Sequence, residues 1–253
     1  MSLNDNRLAE LVRAAQGRAA AQRNESSTAV PAAGAGAAPA TTRPLRSSSL
    51  GQGIPGGGAS AESAMNGVFT TLDDAARAAR AAFLQYCEFP LRRRAEMIER
   101  IRVRLQERVP LLSELAVAET GLGRAEDKQI KNSLVIRKTP GPEILRPESV
   151  SGDDGLMLTE WAPYGVIGSI TPVTNPSETI INNGIAMLAA GNTVVFNPHP
   201  SAKNVSRLAM SIMNEAAQEL GAPKNLLCCV KEPTLESAQA LMHHKAVRLL
   251  VVT

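Results

Sequence analysis

Two kinds of apolar spacing follow one another along the chain. Leu72, Ala75, Ala76, Ala79 and Phe83 share one helical face, which predicts a helix over residues 71–86. Pro90 opens a second pattern, in which Leu91, Ala95, Ile98, Ile101 and Leu105 recur at helical spacing. Further helical stretches over residues 111–119 and 125–138 run up to Thr139-Pro-Gly-Pro142, so this prelude reads as wholly helical. Short, mostly apolar runs then alternate with amphipathic ones. Strands are predicted over 156–161, 165–171, 193–197, 226–230 and 248–252, and helices over 177–190, 201–220 and 235–243. Apolar strands separated by helices call for right-handed crossovers and a parallel sheet covered on both faces. The expected fold class is α/β, a helical prelude followed by a Rossmann-like parallel sheet.

The first 64 residues differ. Leu8, Leu11, Val12, Ala15 and Ala19 fall at helical spacing behind Asp5 as a cap, which predicts an amphipathic helix within residues 1–21. Alone in water such a helix is marginal, so it is either a fraying tail or a docking element. Residues 22–64 are dominated by Ala, Ser, Thr, Pro and Gly and hold too few large apolar groups to offset the entropy of ordering; a disordered linker is expected. Gly56-Gly-Gly58 is no phosphate loop, since no strand precedes it and no Lys-Ser/Thr pair follows. Residues 65–253 form the folded part.

Composition narrows the function classes. Of 253 residues 44% are hydrophobic but only 3% aromatic, so aliphatic side chains and alanine must fill the core. The net charge of +3 is a near balance of 27 basic and 24 acidic residues, which gives nucleic-acid binding no support. The arginines between Arg92 and Arg108 alternate with Glu96, Glu99 and Glu107 and read as a solvated helix face. No apolar run is long enough to cross a bilayer, and without a long apolar h-region near residue 1 no secretory signal is expected. Cys87, Cys228 and Cys229 are an odd number and the last two are adjacent, which argues against disulfides and for a reducing cytoplasm. No metal site is expected.

Candidate chemistry lies at the carboxyl ends of the strands, where open parallel sheets bind ligands. After Ile170 comes Thr-Pro-Val-Thr-Asn-Pro176 instead of a glycine fingerprint, and after Phe196 comes Asn-Pro-His-Pro200. His199 stands past a strand end, where a loop histidine is either solvated or a ligand contact.

The string Ala162-Pro-Tyr-Gly-Val-Ile-Gly-Ser-Ile-Thr-Pro-Val-Thr-Asn-Pro176, followed by Ala189-Ala-Gly-Asn-Thr-Val-Val-Phe-Asn-Pro-His-Pro200, resembles the aldehyde dehydrogenase superfamily. Thr-Pro-x-Thr-Asn-Pro, Asn-Pro-His-Pro, Glu119-Thr-Gly-Leu-Gly-Arg-Ala-Glu-Asp-Lys128 and Thr139-Pro-Gly-Pro142 are similar to its CoA-acylating branch, which serves propanediol and ethanolamine utilisation. The resemblance implies oxidation of a short-chain aldehyde to an acyl-CoA through a cysteine thioester, with NAD as hydride acceptor and coenzyme A as co-substrate. It also implies that residues 1–21 dock on a bacterial microcompartment shell protein, placing the protein in a microcompartment lumen of the bacterial cytoplasm.

The family's oxyanion-binding asparagine aligns with Thr174, one place before Asn175, so both are candidates; Asn175 as helix cap and Thr174 as turn former is the alternative. Thr171, Pro172, Val173, Asn197, Pro198, His199 and Pro200 are the candidate cofactor contacts, Asn197 replacing a ribose-binding lysine of many relatives. None of the three cysteines matches the nucleophile's position. The expectation is therefore a fragment without the catalytic cysteine domain, inactive alone; the alternative is a non-catalytic nucleotide-binding or shell-docking module. Residues 156–161 stand where the family builds its intersubunit sheet. An unpaired apolar strand there would aggregate, so a homo-oligomer is expected.

Overall fold

The computed structural model describes residues 66–253; the helix expected within residues 1–21 and the linker over 22–64 lie outside them. The described chain runs β1 (Val68–Phe69), α1 (Leu72–Tyr86), α2 (Leu91–Glu107), α3 (Val109–Thr120), α4 (Ala125–Lys138), β2 (Glu148–Gly152) and β3 (Gly155–Thr159). It continues with β4 (Val166–Thr171), α5 (Pro176–Ala189), β5 (Thr193–Pro198), α6 (Lys203–Glu219), β6 (Leu227–Val230), α7 (Leu235–His243) and β7 (Val247–Val252). Termini follow local chemistry: the Thr71 hydroxyl accepts from the Asp74 N–H at the start of α1, and Gly121, at φ 70°, ends α3 in the left-handed region.

Five strands form one parallel sheet in the order β1-β6-β5-β4-β7. On one face lie α5 and α6, with α2, α3 and α4 packed outside them; Ile180, Ile185, Leu188, Val205, Met213, Phe196 and Cys229 share this core. On the other face α1 and α7 cover Val166, Val195 and Cys228 with Ala75, Ala76, Ala79 and Leu241. Successive β5 and β6 residues point to opposite cores, as the pleat demands. Small alanines on α1 let that helix lie close on the sheet. Alanine and aliphatic groups thus fill the core, as the aromatic-poor composition requires.

Two features depart from the expected pattern. The prelude is not wholly helical, because β1 precedes α1 and extends the sheet beyond β6. The strand expected over 156–161 is not unpaired: β3 pairs antiparallel with β2 in a hairpin that turns at Asp153 and Asp154, and Trp161 lies beyond its end. Every residue of both hairpin strands is exposed. Among the described residues no helix is long and apolar enough to cross a membrane.

Candidate functional site

The sheet topology brings the two predicted loops together. β4 and β5 are neighbours in register, Ile170 opposite Asn197 and Thr171 opposite Pro198, and the His199 N–H donates to the Thr171 carbonyl at 3.1 Å. From β4 the chain steps one way, through α5 to β5 and α6 to β6. It then crosses on the other face through α7 and adds β7 on the far side of β4. The order reverses beside β4, and that switch point is where the loop over 171–175 leaves the sheet.

Within this loop Thr171 is 2% exposed, and among the described residues its hydroxyl oxygen has no hydrogen-bond partner. Pro172 and Val173 are half-buried and Thr174 is exposed. Asn175 precedes α5 but makes no side-chain cap bond, so the capping alternative does not hold. Its Oδ1 instead accepts from Lys131 Nζ on α4. One turn earlier on α4, Lys128 Nζ donates to the Thr174 carbonyl at 3.2 Å. Beneath both lies Glu178, in the first turn of α5 and buried, with Oε1 at 3.7 Å from Lys128 Nζ and 3.9 Å from Lys131 Nζ. Its Oε2 accepts from the Ser177 hydroxyl. Lys128 and Glu178 are both almost fully buried, so each neutralises a charge that alone would be costly there.

The loop after β5 is held differently. Asn197 is 3% exposed, and its carboxamide is bonded to the start of α7: Oδ1 accepts from Ser237 Oγ at 2.5 Å and Nδ2 donates to the Thr234 carbonyl at 3.5 Å. Thr234 and Ser237 close a reciprocal capping box there. Pro198 is buried, whereas His199 and Pro200 are exposed. His199 Nδ1 accepts from the Ser201 N–H, which fixes the ring's donor on Nε2 in the neutral form.

Glu119 opens a family-like motif in the sequence, but the sequence alone assigns it no role. Its two oxygens each accept a backbone N–H of the first turn of α6, from Asn204 and Val205, both at 2.8 Å. Burial pushes its pKa up, against those two bonds and the nearby Arg207 and Lys203 charges. A helix start that would suit a phosphate is thus filled by the protein's own carboxyl. The signal lay in Glu119-Thr-Gly, but nothing in the sequence told which helix it would reach.

The cysteines lie elsewhere. Cys228 and Cys229 are buried in β6, and burial raises both thiols, Cys229 to about 12, so neither is a thiolate at neutral pH. Cys87 follows α1 towards the amino ends of the strands, where Ala79 and Phe83 of that helix meet Thr193 and Gly165. An open groove of about 880 Å³ between α2 and α4 is lined by Arg102, Val103, Gln106 and Ser133 among others, and holds none of the predicted site residues. Among the described residues no cluster of His, Cys, Asp and Glu could hold a metal ion.

The sequence matches the aldehyde dehydrogenase family over residues 58–253. It is 48% identical over 187 residues to the acetaldehyde dehydrogenase (acetylating) EutE of Salmonella typhimurium, a match covering 74% of this chain and 40% of that protein. The structure is similar to a propionaldehyde dehydrogenase from the Clostridium phytofermentans fucose utilisation bacterial microcompartment, with TM-score 0.73 and 46% identity over 74% of this chain and 43% of that one. It is also similar to the Rhodopseudomonas palustris propionaldehyde dehydrogenase with bound propionyl-CoA, with TM-score 0.73 and 48% identity over 76% and 43% of the two chains. The chain spans about 40% of the length of the curated relatives it matches. With the family's sequence pattern running through both loops and the whole parallel sheet, this chain belongs to the aldehyde dehydrogenase family.

Proposed function

We propose that this chain is the nucleotide-binding portion of a CoA-acylating aldehyde dehydrogenase, an oxidoreductase that turns a short-chain aldehyde into its acyl-CoA through a cysteine thioester. The observation that carries this reading is the side-by-side position of the loops after β4 and β5 at the switch point of the sheet. When bound, NAD supplies the acceptor for the hydride that leaves the aldehyde carbon. The orphaned, buried Thr171 hydroxyl and the donor on His199 Nε2 supply polar contacts suited to such a group. Thr171, Pro172 and Val173 form one wall, and Pro198, His199 and Pro200 the other. Asn197 shapes the second wall by holding α7, because its carboxamide is already bonded. Thr174 and Asn175 offer a hydroxyl and an amide to the oxygen that gains charge when a thiolate adds to the aldehyde. Coenzyme A takes the acyl group. The nucleophilic cysteine is none of the three in this chain, since two are buried and protonated and the third lies towards the amino ends of the strands, away from the loops.

The test is CoA-dependent NAD reduction with acetaldehyde and propanal by the complete protein encoded with this sequence. Asn175→Ala or Thr174→Val, whichever removes the oxyanion donor, should lower kcat by about 10²–10³-fold. Absence of CoA-dependent turnover in the complete protein would overturn the reading, and turnover by the 253-residue chain alone would overturn the placement of the nucleophile outside it. The proposal extends to location: residues 1–21 dock the protein on a microcompartment shell in the bacterial cytoplasm. Deleting them should abolish co-purification with shells, and unchanged loading would refute that.

A further inference from the structure

We propose that Lys131 is a positioning residue that fixes the Asn175 carboxamide with its N–H₂ turned to the reacting oxygen, which makes Asn175, and not Thr174, the oxyanion donor. This rests on the aldehyde chemistry proposed above. An ammonium group has donors and no acceptor, so of the two ends of a carboxamide it can hold only the oxygen. Lys131 Nζ holds Asn175 Oδ1. The Nδ2 end is then the donor left over, and among the described residues it makes no hydrogen bond of its own. A withdrawn electron pair on Oδ1 also makes the amide protons better donors, since hydrogen bonds in series polarise one another.

The backbone under Asn175 is held by the same helix. Lys128 and Lys131 stand three residues apart on α4 and so share a face. Buried Lys128 fixes the Thr174 carbonyl, which sets the direction of the peptide leading into Asn175. Glu178, one turn into α5, lies within 4 Å of both ammonium groups and ties them to the helix that Asn175 precedes. Lys131 is half exposed, and its pairing with Glu178 at 3.9 Å is too long and too solvated to contribute much to stability. Its contact with Asn175 is the closer one. Thr174, in contrast, is exposed, and among the described residues nothing holds its hydroxyl so as to aim it. A donor that must be reorganised at the moment of reaction contributes less than one already aimed.

Two measurements decide the matter. In the complete protein, Lys131→Met should lower kcat by about tenfold with little change in the KM for aldehyde, because the freed carboxamide samples both orientations. Lys131→Arg, which also only donates, should retain most of the rate. In an Asn175→Ala background, Lys131→Met should have no further effect. An equal loss in both backgrounds would assign Lys131 a merely structural part and overturn the proposal. In the 253-residue chain, the side-chain amide resonances of Asn175 should shift in Lys131→Met and stay near their original position in Lys131→Arg. Unmoved resonances in Lys131→Met would overturn the proposal whatever the activity. A complete protein without CoA-dependent turnover would instead refute the proposed function, with the resonances still reporting on the contact.

Discussion

Glu119 illustrates how one carboxyl serves two helices. It lies on the last turn of α3, yet both oxygens bond the first turn of α6, where unpaired N–H groups and the helix dipole favour negative charge. Burial nevertheless outweighs these attractions and raises its pKa above the ordinary 4.5. A carboxyl raised in the folded state binds its proton more tightly there than in the unfolded chain. Its contribution to stability is full below the unfolded value and is lost as pH rises through the folded one. Relative to Glu119→Gln, which does not titrate, the unsubstituted chain should therefore lose stability as pH climbs from the ordinary carboxylate range through the raised value. Urea midpoints at a series of pH values check this; a constant difference would refute it. Gly67 makes a backbone demand of comparable weight. Its φ is 88°, and a Cβ there would stand 2.2 Å from the Leu227 carbonyl oxygen. Gly67→Ala should lower unfolding free energy by about 1–3 kcal/mol, read from the same midpoints, because both the left-handed backbone and the contact resist it.

At the scale of elements, apolar spacing found every α-helix of the described chain and five of its seven strands. The helices over 125–138 and 235–243 end where expected, because capping and turn chemistry is written into neighbouring residues. Two strands escaped for opposite reasons. β1 has two residues, too few for any period to show. β2 reads Glu-Ser-Val-Ser-Gly, with a single large apolar side chain, and owes its conformation to β3. The arginines of α2 were expected to face solvent; Arg94 is instead half-buried, and Arg93, though exposed, also reaches a backbone carbonyl. Arg94 donates to Phe89 and Ala189 carbonyls and Arg93 to the Leu220 carbonyl, so they satisfy the ends of α5 and α6. The short α7 depends on its cap. Thr234→Ala removes the acceptor of the Ser237 N–H and should cost about 1 kcal/mol in chemical denaturation. It should also loosen Asn197, whose two bonds end on Thr234 and Ser237; faster amide exchange confined to α7 and the end of β5 is the accompanying signature.

For the whole molecule, the two-sided core leaves one element uncovered. The β2–β3 hairpin exposes Val150, Leu156, Met157 and Leu158, and Trp161 follows just beyond it. A two-stranded hairpin is at best marginally stable by itself, and its apolar side chains gain only by meeting another surface. We expect that surface to be a second copy of the chain. Leu158→Glu should then lower the mass measured by light scattering while leaving the far-ultraviolet circular dichroism of the monomer unchanged. An assembly of unaltered mass in the variant would count against the hairpin as the contact.

Local chemistry settled the order of helices and strands, the parallel sheet and the end of it at which the loops gather, because apolar period, caps and crossover handedness act between near neighbours. Family membership was legible in the same loops. The partners of those loops were not. Asn197 bonds Ser237 across 40 residues, Lys131 bonds Asn175 across 44, and Glu119 reaches Asn204 across 85. Spacing along a chain carries no record of such meetings. They arise only when packed helices bring distant backbone and side-chain groups within hydrogen-bond reach, and that packing decided which loop residues are already bonded and which stay free to meet a ligand.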